Sequence, residues 1–203
     1  MKYLDRVIQR WRIRKAAKYL CPGNSVCDVG CADGALFQLV PGLGKSVGID
    51  PDLDSAHLPA VPNVTFFKGL FPAVLPEPVQ FDAITMLAVL EHVPMDLQAP
   101  LAMACAEHLK PGGKLVITVP SPTVDHVLAA LRALRLIDGM SLEQHYGFES
   151  HQTPSIFMPH GFDLFVKRRF QLGLNNLFVF ARNDKAVSSE DRPRTASEIS
   201  RSA

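Results

Sequence analysis

The spacing of apolar residues changes period along the chain, and each change marks an element. Over residues 3 to 20, Leu4, Val7, Ile8, Trp11 and Tyr19 recur at helical spacing among basic residues. That spacing predicts an N-terminal helix over 1–20 that packs one stripe on its own domain; a basic amphipathic helix can also lie on a membrane surface. Pro22-Gly23 then breaks the chain. Short apolar runs follow, separated by helix-like stretches. SVCDVG, KSVGID, VTFFKG, FDAITMLAV and KLVITVP read as strands. GALFQLV, DLDSAHL and DLQAPLAMACAEHL read as the helices between them, with a proline-rich connection after VTFFKG. Such alternation predicts an α/β fold with parallel strands covered by helices, wound right-handedly into a doubly wound sheet.

Beyond residue 122 the pattern differs. TVDHVLAALRALRLI carries Val124, Val127, Leu128, Leu131 and Leu134 on one helical stripe, and SLEQHYGFESHQ reads as an irregular loop. FDLFVKRRF and LNNLFVFAR read as two strands around Leu172-Gly173, and so short a connection makes them an antiparallel hairpin. From Asn183 to Ala203 the chain is polar and has little apolar surface to bury, so a disordered tail is expected. The division is therefore one domain over 1–182, with residues 123–160 as an excursion before the hairpin, and the tail 183–203.

Composition narrows the class. The chain has 203 residues, 47% hydrophobic and 20% charged, which suits one globular domain. A formal net charge of +1 gives no strong signal for nucleic acid, although a local basic patch survives such averaging. Asp5, Arg6, Arg10 and Arg12 interrupt any apolar leader core, and no apolar run approaches the roughly 20 residues of a membrane span. Cys21, Cys27, Cys31 and Cys105 form no C-x-x-C pair, so no zinc site is expected and reduced thiols in a cytoplasm are. His57 and His108 read as surface residues.

The chemistry concentrates at DVGCADG, residues 28–34. In an open parallel sheet, ligands sit beyond the carboxyl ends of the strands where strand order reverses, and this turn follows the first strand. Gly30, Ala32 and Gly34 remove side-chain bulk, so that a ligand can lie on the backbone. Cys31, within the turn, either touches that ligand or fills space. A dinucleotide would place its pyrophosphate here, but Asp28 and Asp33 would repel it by amounts of order kcal/mol. A cationic ligand reverses the sign, and S-adenosylmethionine carries a sulfonium and an ammonium. Asp50, twenty residues after Gly30 at the end of the second strand, is placed to accept both hydroxyls of a ribose, or with Pro51 to cap the next helix.

VCDVGCADGAL, VGIDPD, FDAITMLAVLEHV and LKPGGKLVITVPSP, in that order over residues 25 to 120, resemble the successive motifs of class I S-adenosylmethionine-dependent methyltransferases. The resemblance implies the Rossmann-like methyltransferase fold: a mostly parallel seven-stranded sheet with helices on both faces and a C-terminal antiparallel hairpin. It implies S-adenosyl-L-methionine as cofactor, and a small-molecule acceptor is the first reading of the chemistry. Carried over by position, Asp28, Gly30 and Gly34 would bind the methionine part and Asp50 the ribose, with Cys31, Ala32 and Pro51 beside them in the cofactor site. Gly69 and Leu70 would pass the adenine, and Leu87 would offer its carbonyl to the ammonium. Three positions depart from the family: Ala32 where Gly is common, Leu70 where an Asp often meets the adenine amine, and Leu87 in place of a small polar residue. A Glu-x-x-Glu-His stretch holds a divalent metal in quinone O-methyltransferases of the family. Here Ala88 takes the first Glu, and Glu91 with His92 makes a poor site, so no metal is expected.

Methyl transfer from a sulfonium is a one-step displacement whose rate rests largely on placing the nucleophile at about 3 to 3.5 Å in line. A base is needed only where the acceptor must lose a proton. His145 in Glu143-Gln144-His145-Tyr146 is the first candidate, since the family often places a His followed by an aromatic on the substrate side; His92 is the second. Glu91-His92 also reads as a local hydrogen-bonded pair that shapes its loop. His126, His151 and His160 have weaker claims. The acceptor and the atom methylated are not legible. A macromolecular acceptor, a catalytically silent cofactor-binding module and, last, a nicotinamide-dependent oxidoreductase remain alternatives.

Overall fold

The computed structural model describes residues 3–76, 79–121 and 149–183. Their elements are α1 (Tyr3–Ala16), β1 (Val26–Val29), α2 (Ala35–Leu39), β2 (Ser46–Asp50), β3 (Val64–Lys68), β4 (Phe81–Leu87), α3 (Met95–His108), β5 (Leu109–Pro120), α4 (Thr153–Phe157), β6 (Phe162–Phe170) and β7 (Asn175–Arg182). The seven strands form one sheet in the order β3-β2-β1-β4-β5-β7-β6. Strands β3, β2, β1, β4 and β5 pair in parallel, and β7 runs antiparallel to both β5 and β6. The chain winds outward from β1 to β3, returns to β4 on the other side of β1, and so reverses its strand order between β1 and β4. β1 is buried end to end and β7 over its first six residues, because helices cover both faces.

One face holds Met86, Leu115, Ile117, Phe178 and Phe180 against Cys105 and Ala106 of α3 and Phe157 of α4. Phe157, Phe162 and Phe180 meet at centroid distances of 5.4 to 6.3 Å in edge or tilted contacts that fix where the hairpin joins the sheet. The opposite face holds Val26, Ala83, Val116 and Val179 under Ile13 and Ala16 of α1 and Leu36 and Phe37 of α2. The hairpin lies where the sequence puts it: residues 171–174 join β6 to β7, with Gln171, Leu172 and Gly173 all at positive φ.

Three expectations need correction. DLDSAHL gives only a single 3-10 turn, Ser55–His57, capped by the Asp54 carboxylate, which accepts from the Ala56 N–H at 3.1 Å. Among its described side chains only Leu53 is buried, too little apolar surface to hold a helix on the sheet. On α1 the buried side is Ile13 and Ala16, continued by Leu20, while Val7 and Trp11 face outward at 39% and 42% exposure. His108 is a core residue, 4% exposed, with its Nδ1 2.8 Å from the Val79 carbonyl and its ring edge-on to Phe71. The excursion helix from Thr123 to Ile137 and the tail 184–203 lie outside the described residues.

Candidate functional site

The turn between β1 and α2 hangs from the end of β2. The N–H groups of Gly30 and Cys31 donate to the Ile49 carbonyl at 2.8 and 3.2 Å, and the Ala32 N–H donates to Asp50 Oδ2 at 2.9 Å. Gly30 and Gly34 sit at φ +75° and +67°, and a Cβ on Gly30 would lie 2.3 Å from Val89 Cγ2. Glycine is therefore required at residue 30 by both conformation and space. Ala32 adopts φ +45°, a sparsely used region for a residue with a Cβ. This is the second consequence of the alanine there, beyond its methyl group.

Three carboxyls surround this turn, and each has a different environment. Asp28 is buried on β1 and accepts a 2.6 Å hydrogen bond from Thr85 Oγ1, its register partner on β4. Burial pushes its pKa up to about 7, the charges of Asp50 and Asp33 push the same way, and the Thr85 hydroxyl opposes them. Asp50 is half-buried. Its Oδ2 takes the Ala32 N–H and its Oδ1 takes the Asp52 N–H at 2.9 Å, which aims the carboxylate while leaving acceptor sites on both oxygens. Asp33 is exposed, and its Oδ1 accepts from Gln9 Nε2 on α1 at 2.9 Å and from the Ala35 N–H at 3.3 Å. This carboxylate binds α1 to the turn.

The other residues expected to meet a cofactor lie at the same edge. The Cys31 side chain is buried, and its Sγ lies 2.9 Å from where a Cβ on Gly48 would be, so it packs toward β2. Burial raises its thiol pKa, as do Asp28 and Asp50, so the group is a packing thiol. Pro51 is exposed beside Asp50. Gly69, at φ +146°, donates its N–H to the Asp50 carbonyl at 3.1 Å, and Leu70 follows at 67% exposure. Leu87 ends β4 opposite Thr118, and the next residue, Ala88, takes φ +64°. That reversal turns the chain out of the sheet at the strand-order switch.

After β4 the chain makes a 3-10 turn, Leu90–His92. Glu91 turns inward at 3% exposure, and His92 is exposed. Burial pushes Glu91 up to about 7 against its backbone hydrogen bond and the opposing charge of Arg12 on α1. Glu91 Oε2 and Arg12 Nε are both buried and have no hydrogen-bond partner among the described residues. His145 and His126 lie outside the described residues. His151 is exposed, with Nδ1 3.0 Å from Glu149, and His160 is half-buried. Among the described residues no three His, Cys, Asp or Glu side chains come together as metal ligands.

Sequence reasoning missed Thr85, Arg12 and Gln9. The signal for Thr85 was a polar residue within the buried apolar run Ala83–Met86 of β4. Arg12 and Gln9 carried none, because they matter only once α1 is laid across the turn.

A family model described as a methyltransferase domain matches residues 2–167. The chain is 36% identical over 118 residues to a ubiquinone biosynthesis O-methyltransferase of Xanthomonas campestris pv. campestris (strain B100), covering 53% of this chain and 48% of that protein. To the protein of the same name from Paraburkholderia phytofirmans it is 33% identical over 141 residues, 66% of this chain and 60% of that one. The chain thus spans about half the length of the curated relatives it matches. Its fold is similar to that of a magnesium protoporphyrin IX methyltransferase from Synechocystis solved with bound SAH, with a TM-score of 0.64 and 18% identity, over 88% of this chain and 85% of that one.

Proposed function

The chain belongs to the class I S-adenosylmethionine-dependent methyltransferase family, and from that membership we propose that it methylates a small-molecule acceptor, at oxygen, by direct displacement. The observation that carries the reading is Asp50, whose two oxygens are aimed by the Ala32 and Asp52 N–H groups beside a turn of positive-φ residues. This donor set fits an adenosyl cofactor with a cationic end. The acceptor sites left on Asp50 suit two ribose hydroxyls, and the carboxyl of Asp28 suits a nearby ammonium. A nicotinamide dinucleotide fits less well, because its pyrophosphate would sit among the same carboxylates.

S-adenosylmethionine, when bound, supplies a methyl group made electrophilic by its sulfonium. The work of the chain is to bind and orient. Asp50 accepts from the ribose, and Gly30 lets the methionine part approach the backbone closely. Gly34, Ala32 and the backbone of Cys31 complete the turn, and the Leu87 carbonyl takes the ammonium. Gly69 and the exposed Leu70 pass the adenine, with packing in place of a carboxylate contact, and Pro51 holds the chain after Asp50. His145, and secondarily His92, accepts a proton from the acceptor where one must be lost. An oxygen acceptor is supported by relatives at 32 to 39% identity that are named as O-methyltransferases. A cytoplasmic setting accords with four free thiols.

Calorimetry with S-adenosylhomocysteine and with NAD, followed by transfer of labelled methyl to a panel of phenols and catechols, tests the reading. Adenosyl binding without NAD binding, and label in a phenolic product, is the expected outcome. Tight NAD binding alone would overturn it. Label found only in protein or nucleic acid would move the acceptor to a macromolecule, and adenosyl binding without any transfer would make the chain a silent module.

A further inference from the structure

The outward stripe of α1 and of the 3-10 turn that continues it, Ala17–Tyr19, has no role in the site. Val7, Arg10, Trp11, Arg14 and Lys18 recur at helical spacing on the side opposite Ile13 and Ala16. With Lys15 they line an open depression of about 470 Å³. A smaller hollow continues it past Lys15 and Lys18 to Arg168 and Arg169 of β6. Gln171 Nε2 donates to the Ile8 carbonyl of α1 at 3.0 Å, which brings the β6–β7 turn against the helix with Leu172 next to that contact at 96% exposure. One face therefore combines six cations with three outward apolar side chains, Val7, Trp11 and Leu172. The ion pairs among the described residues, Lys110 with Asp82 and His151 with Glu149, engage none of the six. This concentration occurs in a chain whose formal net charge is only +1.

We infer that this face docks reversibly on an anionic phospholipid surface, with α1 lying in the plane of the headgroups. Charge complementarity selects the occupant, and the apolar side chains refine it. Lys and Arg gain from the negative surface potential, an indole prefers the headgroup level, and aliphatic tips gain from the acyl boundary just beneath. A nucleic-acid backbone would satisfy the cations but offers nothing to Leu172 or Val7. No helix of the described residues is long and apolar enough to cross a membrane, so the contact is peripheral. The other side of the helix reaches the glycine turn through Gln9 and Asp33, so docking would bring the site close to the lipid.

Trp11 is the chain's single tryptophan, so its fluorescence reports the contact directly. The full chain is titrated with vesicles of phosphatidylcholine alone and with vesicles containing about one third phosphatidylglycerol, at low and high salt. Binding to the anionic vesicles alone is expected, with a blue-shifted Trp11 emission and loss at high salt. Arg14→Gln with Lys18→Gln should weaken partition about 25-fold, roughly fivefold per cation. Both side chains line the outward depression, which includes none of the cofactor candidates, so affinity for S-adenosylhomocysteine should not change and serves as the folding control. Trp11→Ala should weaken binding to the same vesicles, measured by sedimentation. Absence of binding, binding with unshifted Trp11 emission, or unaltered partition in the folded double variant would overturn the inference. A short duplex DNA that binds more tightly than the vesicles would assign the face to nucleic acid instead.

Discussion

Thr85 Oγ1 donates a 2.6 Å hydrogen bond to Asp28 Oδ1 across the seam where strand order reverses. The parallel pairing of β1 with β4 sets these residues side by side, although 57 positions separate them. The hydroxyl holds the carboxyl at one angle beneath the glycine turn, and burial keeps the proton on it up to about pH 7. Asp28 is thus placed to change its charge near neutral pH.

That proton has a consequence for stability. The folded pKa of about 7 stands above the ordinary value of 3.8. Between those pH values the unfolded chain has lost the proton and the folded chain keeps it, so stability is greatest at the acid end and falls as pH rises. The loss is about 1.4 kcal/mol per pH unit for each such group. Glu91, also raised to about 7, adds a slope of the same sign. Asp28→Asn should therefore be more stable than the parent at pH 8 and lose that margin near pH 4, with Glu91→Gln reducing the slope further. Urea unfolding at several pH values measures both. A parent protein whose stability rises from pH 5 to 8 would contradict the assignment.

Ligand binding should be coupled to the same proton. A cationic group beside Asp28 favours the carboxylate, so binding at pH 6 must expel a proton, and affinity should rise from pH 6 to pH 8. Calorimetry of S-adenosylmethionine binding in two buffers of different ionisation enthalpy counts the protons released. Equal heats in both buffers at pH 6 would separate Asp28 from the ammonium.

Asp50→Ala should weaken cofactor binding by about 1.5 to 3 kcal/mol, the range for a lost hydrogen bond to a charged group. It should also lower the melting temperature, because the Ala32 and Asp52 N–H groups lose their acceptor. Unchanged affinity in a folded variant would remove Asp50 from the site.

Gly30→Ala should cost about 2 kcal/mol or more, from a Cβ 2.3 Å from Val89 Cγ2 and from φ +75°. Adding Val89→Ala should recover the steric part but not the backbone strain. Full recovery in a thermal melt would show that space alone requires the glycine.

His145→Ala should lower turnover far more than cofactor affinity. If His145 is the base, the loss is about 10²- to 10⁴-fold and a limb of the pH profile disappears. A smaller loss that falls partly on KM would make it an orienting group. Wild-type turnover in the variant would pass the proton-accepting role to His92 or to solvent.

Much of the site was legible because its signals are local. The positive-φ glycines, the carboxylate that ends β2 and the alternation of strand and helix are each written within a few residues, and so is the four-residue hairpin connection. What was not legible depends on neighbours distant in sequence. Periodicity marked α1 as amphipathic but chose Val7 and Trp11 for the core, whereas the sheet took Ile13 and Ala16. His108 looks like a surface residue until Phe71 and the Val79 carbonyl close over it.

The amino-acid sequence by itself determined the order of elements, the conformation of the turn at 28–34 and the acidic character of its surroundings, because backbone sterics and strand-end chemistry act over short stretches of chain. Only the tertiary structure decided which carboxyl is buried against Thr85, which is held out to Gln9 and which is aimed by the Ala32 and Asp52 N–H groups. Those outcomes depend on strand neighbours and on the placement of one helix, and the free energy of a charged group follows its solvation and its partners in space.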